Sequence, residues 1–489
     1  MNLMRDSCES SSQLSAALKY QNARRSHWDV IARKKMDAGK SIGAYYHARL
    51  NQIYSHLVSP GQKVLEIGCG TGDLLASLKP SHGVGVDFSV EMVKQAEKRF
   101  PNLHFINADA HDPVLNETFD VIILSDLVND LWDVQSVFKG LRKITDPRTR
   151  IIINTYSLVW EIPLVLSQFL GLSTKLLPQN WLTVADIENM LNLAGFEVIR
   201  NWPEILLPLE IPLLSDLLNK YVVKMWPFSI LALTNIIIAR KRPEEEDKKV
   251  KPLVSVVVPA RNEAGNIEEI LLRTPEMGSG TELIFVEGNS NDNTYEVIEK
   301  TIVAHPERTC RVFKQSGKGK GDAVRHGYEM ASGDIFMILD ADMTVPPEAL
   351  PRFYDAIESG EGEFINGVRL VYPMEKQAMR YLNLLGNKFF SLAFSWLLGQ
   401  PIKDTLCGTK VLSRQDYKKI AENRSYFGEF DPFGDFDLLF GAAKQNMKIV
   451  EMPIRYADRK YGSTNIDRWK HGWLLLKMTA YAMKKIKFI

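Results

Sequence analysis

The stretch "KVLEIGCGTGDLL", residues 63–75, decides how the first half of the chain folds. A short apolar run leads into a Gly-x-Gly-x-Gly turn from Gly68 to Gly72, and a helical pattern follows. Because glycine has no Cβ, the backbone of such a turn can approach a bound cofactor closely. The stretch therefore predicts a strand, a cofactor-binding loop and a helix, in that order.

Strand and helix patterns alternate in both halves of the chain. In the first half, "HGVGVD", "LHFINAD" and "FDVIILSDL" are separated by amphipathic segments such as "EMVKQAEKRF". In the second half, "LVSVVVPARNE", "ELIFVEGNSNDNT" and "GDIFMILDADMT" follow the same plan. The alternation predicts an α/β fold with two doubly wound domains, whose ligands bind at the carboxyl ends of parallel strands.

A charged run, "PEEEDKKVKP", lies between the two halves. The chain has 489 residues, which is more than one hydrophobic core usually spans. A charged run flanked by prolines is typical of a linker. We therefore predict domains at residues 1–242 and 252–489, joined by a linker at residues 243–251.

The composition excludes several classes of protein. With 45% hydrophobic residues and a net charge of +1, the chain is globular and has no overall bias toward nucleic acid. Its four cysteines form no CxxC pair, which argues against a zinc site or a disulfide framework and favours a reducing compartment. No secretory signal or membrane span is predicted. We expect a cytoplasmic protein, or a peripheral one at the inner face of the plasma membrane, and predict no oligomeric state.

Acidic residues accompany the glycine turn. Glu66 precedes it, Asp87 ends the next strand pattern and Asp109 ends the third. A carboxylate at the second strand end can bind both ribose hydroxyls, and one after the third strand can reach an adenine amino group. The acidic set disfavours the diphosphate of a dinucleotide and favours S-adenosylmethionine, which is cationic and carries no phosphate.

At these residues the segment from about 25 to 242 resembles the class I S-adenosylmethionine-dependent methyltransferases, for which "VLEIGCGTG" is specific. The resemblance implies that Gly68, Gly70 and Gly72 line the amino acid end of the cofactor. It also implies that Asp87 holds the ribose and that Asp109 and Ala110 lie beside the adenine, with Glu66 in the same cofactor site.

The sequence says less about the methyl acceptor than about the cofactor. Candidates are His47 in "YYH" and Asp126 and Asp130 in "SDLVND", with surface or capping residues as the alternative interpretation. The segment from about 203 to 229 is more apolar than a core requires. We expect it to pack within the domain, and a lid or a lipid-facing surface is the alternative.

In the second half, "DAD" at residues 340–342 closes a strand pattern. Two carboxylates at this spacing can bind a hard divalent cation. Such a cation, bridging a diphosphate, neutralises the charge that develops as a nucleoside diphosphate departs.

The order of "VSVVVPARNE", "GKGDAVRHG" and "LDADMT" resembles the GT-A fold of the family 2 glycosyltransferases. The later "DTLCGTK", "GDFDLLF" and "EMPIRYADRKYGST" resemble the polyprenyl-phosphate mannose and glucose synthases, so that the resemblance covers about residues 252–465. It implies transfer of a sugar, with inversion and with Mg²⁺ or Mn²⁺, from a UDP-, GDP- or dTDP-linked donor.

The resemblance also implies roles for individual residues. Those around the nucleotide and its diphosphate are Pro259, Arg261, Glu263, Glu287, Gly319, Lys320, Gly321 and Arg369. Those at the metal are Asp340, Asp342 and Thr344. Those near the transferred sugar or the acceptor are Asp404, Asp437, Arg459 and Lys460. Departures from the family pattern at "VEGNS", "CGTK" and Asn465 leave the base and the acceptor open.

The chemistry depends on the acceptor. A hydroxyl must lose a proton, so that Asp437 or Asp404 would act as a general base. A polyprenyl phosphate is already anionic and needs no base, and Arg459 would then matter more than Asp437.

The C-terminal segment bears on that choice. Lys470, Lys477 and Lys484 recur every seven residues, and the apolar positions Leu475, Leu476, Met483 and Ile486 face away from them. The pattern predicts an amphipathic helix, either on a membrane surface or docked on its own domain or a dimer partner. Residues 376–399 carry the same ambiguity.

Together these patterns predict a bifunctional enzyme. One domain transfers a sugar to a polyprenyl phosphate or a lipid-linked glycan, and the other methylates a glycan or a lipid-related acceptor. Two alternatives stay open: a glycosyltransferase whose first domain binds the cofactor without catalysis, and a membrane-assembly module with two inactive sites.

Overall fold

Two seven-stranded sheets organise the chain, one on each side of a boundary between Arg242 and Pro243. The computed structural model describes residues 2–35, 43–171, 175–244, 250–369, 371, 381–424, 435–457, 459, 461 and 468–489. Residues 245–249 of the predicted linker lie outside that part of the chain, as do Lys460 and Asn465.

The sheet of the first unit has the strand order β3-β2-β1-β4-β5-β7-β6. Its strands are β1 Lys63–Ile67, β2 His82–Asp87, β3 His104–Asn107, β4 Val121–Ser125, β5 Arg150–Tyr156, β6 Phe196–Glu204 and β7 Thr234–Lys241. Strand β7 runs antiparallel to both β5 and β6, and the other pairs are parallel. The predicted doubly wound sheet is confirmed, with one reversed strand.

Helices cover both faces of this sheet. They are α1 Asn2–Lys35, α2 Ala44–Leu57, α3 Asp73–Ser77, α4 Val90–Arg99, α5 Val134–Leu141, α6 Glu161–Phe169, α7 Val184–Leu193 and α8 Leu214–Lys220. Along β4, Val121 and Ile123 face a core with α2 and α3, whereas Ile122 and Leu124 face a core with α5. A strand buried on both faces reads as a continuous apolar run, as "VIIL" does.

The sheet of the second unit has the order β10-β9-β8-β11-β13-β12-β14, with β13 antiparallel to its two neighbours. Its strands are β8 Val254–Ala260, β9 Thr281–Glu287, β10 Cys310–Lys314, β11 Ile335–Ile338, β12 Phe364–Val368, β13 Lys410–Ser413 and β14 Ile449–Pro453. Its helices are α9 Ile267–Arg273, α10 Thr294–Ala304, α11 Lys320–Met330, α12 Leu350–Glu358, α13 Tyr381–Leu398, α14 Arg414–Glu422, α15 Asp435–Lys444 and α16 Arg468–Ala482.

The C-terminal helix α16 packs on its own unit. Leu475, Met478 and Ile486 are buried in the same core as Phe394 of α13. Leu476, which we expected on the apolar face with Leu475, is instead 43% exposed. Lys477 and Lys484 are exposed as predicted, and nothing is described of the Lys470 side chain. Within the described part of the chain, no helix is both long enough and apolar enough to cross a bilayer.

Gly72, at the end of the glycine turn, is tightly packed against the core. Gly72 has φ +76°, and a Cβ added there would lie 2.7 Å from Cζ of the buried Phe105. Gly61 has φ +82°, but its Cβ would meet nothing within 4 Å. Both alanine variants carry backbone strain of about 1–2 kcal/mol, whereas Gly72→Ala adds an overpacking cost of about 1–3 kcal/mol.

We therefore expect Gly72→Ala to lower the unfolding temperature of the first unit by more than Gly61→Ala does. Scanning calorimetry of the full chain measures both shifts. Equal shifts would contradict the packing described for Gly72.

Candidate active sites

The glycine turn of the first unit is bound to the end of β2 through Asp87. The amide of Gly70 donates to Oδ2 of Asp87 at 2.9 Å, and the amide of Ser89 donates to Oδ1 at 2.8 Å. A Cβ on Gly70 would meet no heavy atom within 4 Å, whereas one on Gly68 would lie 2.9 Å from Leu127. The turn is therefore packed at Gly68 and open at Gly70, where a cofactor can approach its backbone.

Burial raises the pKa of two acids at this turn. Burial raises the pKa of Glu66 to about 8, although the Leu75 amide donates to its Oε2 at 3.0 Å. Glu66 is therefore protonated at neutral pH and ties β1 to helix α3. Burial also raises the pKa of Asp87 to about 6, against the lowering effect of its two amide donors, so that Asp87 is ionised at neutral pH.

Asp109, at the end of the third strand, is held by a residue that sequence reasoning missed. Its Oδ1 accepts from the amide and from Nδ1 of His111, at 2.9 and 2.6 Å. Burial raises the pKa of Asp109, but the hydrogen bonds from His111 outweigh it, and the pKa lies below its usual value. Ala110 packs against the core beside it. The adjacency in "DAHD" was the available signal.

Helix α1 crosses the ends of two strands. Arg24 forms an ion pair with Asp130 after β4, and Trp28 Nε1 donates to Oδ2 of the same carboxylate at 2.8 Å. Asp29 accepts from the hydroxyl of Ser89, after β2, at 2.5 Å. Asp130 therefore anchors α1 from a largely buried position. Sequence reasoning did not predict α1 in this role.

A buried polar network follows β4 at Asp126. This residue has φ +52°, and its Oδ1 accepts from the Tyr46 hydroxyl at 2.7 Å and from Asn154 Nδ2 at 2.5 Å. Burial raises the pKa of Asp126 to about 6. His47 is exposed, with its ring centroid 5.3 Å from that of Tyr46. Of the "YYH" residues it is therefore Tyr46, which we did not single out, that reaches the strand end.

In the second unit, each carboxylate of "DAD" is paired with a cation. Lys320 Nζ lies 2.6 Å from Asp340, and Arg459 lies 2.7 Å from Asp342 and 3.2 Å from Glu263. Thr344 donates from its hydroxyl to Oδ1 of Asp342 at 2.7 Å, so that it orients this carboxylate. Acids and bases therefore alternate at the end of β11.

Metal ligands are few at this edge. Among the described residues, no three His, Cys, Asp or Glu side chains form a group that could hold a metal ion. Mg²⁺ usually binds through one or two carboxylates together with waters and substrate phosphates. Asp340 and Asp342 therefore fit a cation that is completed by a bound diphosphate.

The loops after β8 and β9 form the adjoining wall. The Ser290 amide donates to Glu287 at 2.5 Å, and the Asn262 amide donates to the Ser290 hydroxyl at 3.0 Å. Pro259 pairs with Val286 in the sheet, and Arg261 is exposed at its edge. These loops therefore hold one another in the region where we predicted the nucleotide base.

Glu263 connects this wall to the metal edge. Asn266 Nδ2 donates to Glu263 at 2.8 Å and to the Ala341 carbonyl at 3.0 Å. Burial raises the pKa of Glu263 to about 7, against the lowering effect of Arg459. Asn266 was not among the predicted residues, because an asparagine in a helix carries no distinctive sequence signal.

Gly319 precedes helix α11 with φ +85°, and its carbonyl accepts from Gln315 Nε2 at 2.7 Å. Lys320 is the first residue of this helix, and Gly321 is buried beside it. The turn therefore aims Lys320 toward Asp340.

Arg369 and Asp404 form a buried pair with each other. Nε and Nη2 of Arg369 lie 2.7 and 2.8 Å from the carboxylate oxygens of Asp404. Burial raises the pKa of Asp404, but the charge and hydrogen bonds of Arg369 outweigh it, and the pKa lies below its usual value. A carboxylate with a lowered pKa is a weak general base, so this arrangement disfavours the predicted base role of Asp404.

Asp437, in the first turn of helix α15, is paired with Arg424. Nε of Arg424 lies 2.8 Å from its Oδ2. Arg424 was not predicted, because it precedes Asp437 by 13 positions and no motif joins them.

The loop before β13 depends on a glycine. A Cβ on Gly408 would overlap Oδ2 of Asp340 and Nζ of Lys320, whereas one on Gly386 would meet nothing within 4 Å. We expect Gly408→Ala to displace the Lys320–Asp340 pair and to slow hydrolysis of the donor sugar nucleotide on the order of a hundredfold.

Gly386→Ala is the matched control and should hydrolyse the donor at the unaltered rate. Initial rates with a UDP-, GDP- or dTDP-hexose measure the effect. Equal rates for the two variants would contradict the close approach of Gly408 to the pair.

Comparisons with known proteins identify relatives of both units. A family model described as "Glycosyl transferase family 2" matches residues 255–421, and one described as "Methyltransferase domain" matches residues 58–195. A dolichol-phosphate mannosyltransferase of Pyrococcus furiosus is 28% identical over 247 residues, covering 48% of this chain and 67% of that protein. A dolichyl-phosphate hexose transferase of Haloferax volcanii is 30% identical over 222 residues, covering 45% of this chain and 89% of that protein.

Among solved structures, magnesium protoporphyrin IX methyltransferase from Synechocystis PCC 6803 aligns with 45% of this chain and 99% of its own. The identity is 17% and the TM-score is 0.32, and no conclusion about this chain is based on this similarity. The family models and the relative from Haloferax volcanii establish the family without the solved structures. The chain belongs to the family 2 glycosyltransferases through its second unit, and its first unit contains a methyltransferase domain.

Proposed function

We propose that residues 252–489 transfer a hexose, with inversion and with a divalent cation, from a nucleotide-linked donor to a polyprenyl phosphate. We further propose that residues 1–242 methylate a glycan or lipid-related acceptor with S-adenosylmethionine. The observation that carries the first proposal is the pairing of Asp340 with Lys320 and of Asp342 with Arg459. Two acids and two bases at one strand end can accept a cation and a diphosphate together.

The charges at this edge suit the departure of a nucleoside diphosphate. Asp340 and Asp342 would hold Mg²⁺ or Mn²⁺, and the ion would neutralise charge on the leaving diphosphate. Lys320 and Arg459, which face these carboxylates, can then turn to phosphate oxygens. Thr344 keeps Asp342 oriented throughout, because its hydroxyl and amide both donate to Oδ1.

The choice of acceptor is supported by the state of the remaining acids. Asp404 is bound by Arg369, and Asp437 lies 2.8 Å from Arg424. Ionised carboxylates that are paired with arginine are poor bases for a hydroxyl. A phosphate acceptor needs no base, and both relatives above are named for transfer involving a dolichol-type phosphate.

For sugar transfer we expect a requirement for a divalent ion and for Asp342. Asp342→Asn should lose on the order of a hundredfold or more in rate, because it removes electrostatic stabilisation of the departing diphosphate. The Arg459→Ala variant should transfer no sugar, whereas Asp437→Asn should still transfer it at a reduced rate. The measurement is transfer from UDP-, GDP- and dTDP-hexoses to a polyprenyl phosphate, with Mg²⁺, Mn²⁺ or EDTA.

The exposed acid Asp355 provides the matched control, and Asp355→Asn should transfer the sugar normally. Full activity in EDTA would refute the requirement for a divalent metal ion. Transfer to a glycan hydroxyl with an absolute need for Asp437 would replace the phosphate acceptor with the base-assisted alternative.

For the first unit we expect cofactor binding that depends on pH through Asp87. Ribose hydroxyls can donate to an ionised carboxylate, and the pKa of Asp87 is about 6. Affinity for S-adenosylhomocysteine should therefore be constant above that pKa and fall by up to about tenfold for each pH unit below it. Calorimetric titration of the full chain between pH 5 and pH 8 measures this.

Asp87→Asn should bind more weakly at neutral pH and lose this pH dependence, whereas Asp112→Asn, at an exposed acid nearby, should behave as the unaltered chain. Neutral-pH affinity unaffected by Asp87→Asn would refute the role of Asp87. Binding without consumption of S-adenosylmethionine for every acceptor would favour a cofactor-binding but non-catalytic first domain.

A further inference from the structure

An extended apolar surface covers one end of the first unit. It is formed by residues 158–170 and 205–231, which we call the apolar edge. Its most exposed side chains are Leu213 at 89%, Phe169 at 84%, Trp226 at 81% and Ile162 at 78%. Its other exposed apolar residues include Val165, Leu166, Leu217, Tyr221 and Phe228. Single exposed apolar residues are ordinary, but this many on two segments that are hydrogen-bonded to each other mark an interaction site.

The apolar edge corrects our expectation that residues 203–229 pack within the domain. Along α8 the buried residues are the polar Ser215 and Asn219, whereas Leu214 and Leu217 face outward. In the turn after it, Val223 and Lys224 are buried. This orientation is the reverse of an ordinary amphipathic helix in water.

Specific polar contacts hold the segment in that orientation. Asn219 accepts from the amides of Leu206 and Leu207 at 2.7 and 2.8 Å, and it donates to the Leu207 carbonyl at 2.7 Å. Ser215 donates to the Leu209 carbonyl at 2.5 Å and accepts from the Ile211 amide at 2.8 Å. Rotation of the segment to bury its leucines would break these bonds.

A buried ion pair fixes the other end of the segment. Lys224 pairs with Glu204, the last residue of β6, and Arg49 of α2 lies 3.8 Å from the same carboxylate. Breaking such a buried pair leaves an uncompensated charge, which is strongly destabilising. These contacts therefore keep the apolar side of the segment exposed to solvent.

The apolar edge lies at the same end of the sheet as the cofactor turn. Tyr156, at the carboxyl end of β5, and Glu204, at that of β6, both pair with Thr234 of β7. Strand β5 is parallel to β4, and β4 is parallel to β1, which leads into the turn. Trp160 Nε1 donates to the Leu231 carbonyl at 2.8 Å and so joins the two segments of the edge.

We propose that the apolar edge docks on a lipid bilayer and that the methyl acceptor is lipid-linked and reaches the cofactor from that bilayer. This second clause rests on the methyl transfer proposed above. Outward leucines together with Trp226, Phe228 and Tyr221 are the residues that favour a membrane interface. Residues 205–231 expose the acids Glu210 and Asp216, whereas Lys220 is half-buried and Lys224 is buried. The surface therefore suits a zwitterionic bilayer and has no need of anionic lipid.

The test is cosedimentation of the full chain with phosphatidylcholine vesicles at low and high salt. We expect binding that changes little with salt, because burial of apolar surface drives it. The double variant Leu213→Gln, Trp226→Gln should bind at least about tenfold more weakly, since both side chains leave the bilayer. Both are almost fully exposed in the free protein, so their replacement removes no internal packing.

The matched control is the double variant Leu193→Gln, Val303→Gln, at exposed apolar positions outside the apolar edge, and it should bind as the unaltered chain does. S-adenosylhomocysteine titration should be equal for all three proteins. No vesicle binding, or equal binding by both double variants, would overturn the proposal. A dimer in sedimentation velocity that only the apolar-edge variant dissociates would assign the surface to a second copy.

The substrate class has a separate readout. Methyl transfer should occur to a glycan on a polyprenyl carrier in these vesicles and be lost in the apolar-edge variant. Vesicle binding without consumption of S-adenosylmethionine would leave the docking intact and refute the methyl transfer. Equal methylation of the same glycan released from its lipid would overturn the lipid-linked acceptor.

Discussion

Parallel strands end at one edge of a sheet, and both units depend on this constraint for their chemistry. In the first unit it brings Asp87, Asp109 and Asp126 from three different strands to the edge that carries the glycine turn. In the second it brings the loops after β8, β9 and β11 together, so that Glu263 and Asp342 share Arg459. Neither arrangement requires residues close in sequence, since each loop needs only to follow its own strand.

The two edges treat their acids differently. Glu66, Asp87 and Asp126 accept hydrogen bonds from amides or hydroxyls, and burial raises the pKa of each. Asp340, Asp342, Asp404 and Asp437 each lie against a lysine or an arginine. The difference matches the proposed ligands. A cationic cofactor brings its own positive charge to the first edge, whereas a diphosphate needs cations in place at the second.

Apolar surface is also used differently by the two units. Helix α16 was a candidate for a free membrane-binding helix, yet it buries Leu475 and Met478 in the core of its own unit, as does Ile486 just after it. The segment 203–229 was expected to pack within the domain, yet Leu213, Leu214 and Leu217 are exposed while Ser215, Asn219 and Lys224 are buried. Hydrophobic content was similar in the two segments, and the positions of their polar partners decided the outcome.

What the sequence by itself determined is local. The strand patterns, the turn from Gly68 to Gly72 and the carboxylates of "DAD" were legible because a strand end, a positive φ or a spacing of two residues is a property of a few neighbours. From these alone the two α/β sheets and both families could be predicted.

Only the tertiary structure decided which charges meet and which faces stay outside. Arg459 and its partner Asp342 are 117 positions apart in the sequence. Arg24 and Asp130 are 106 positions apart, and Arg369 and Asp404 are 35 positions apart. No periodicity records such pairs, because they form only after distant strands have aligned their ends. The buried Lys224 after α8 follows the same rule, since its partner Glu204 lies at the end of β6, 20 positions earlier.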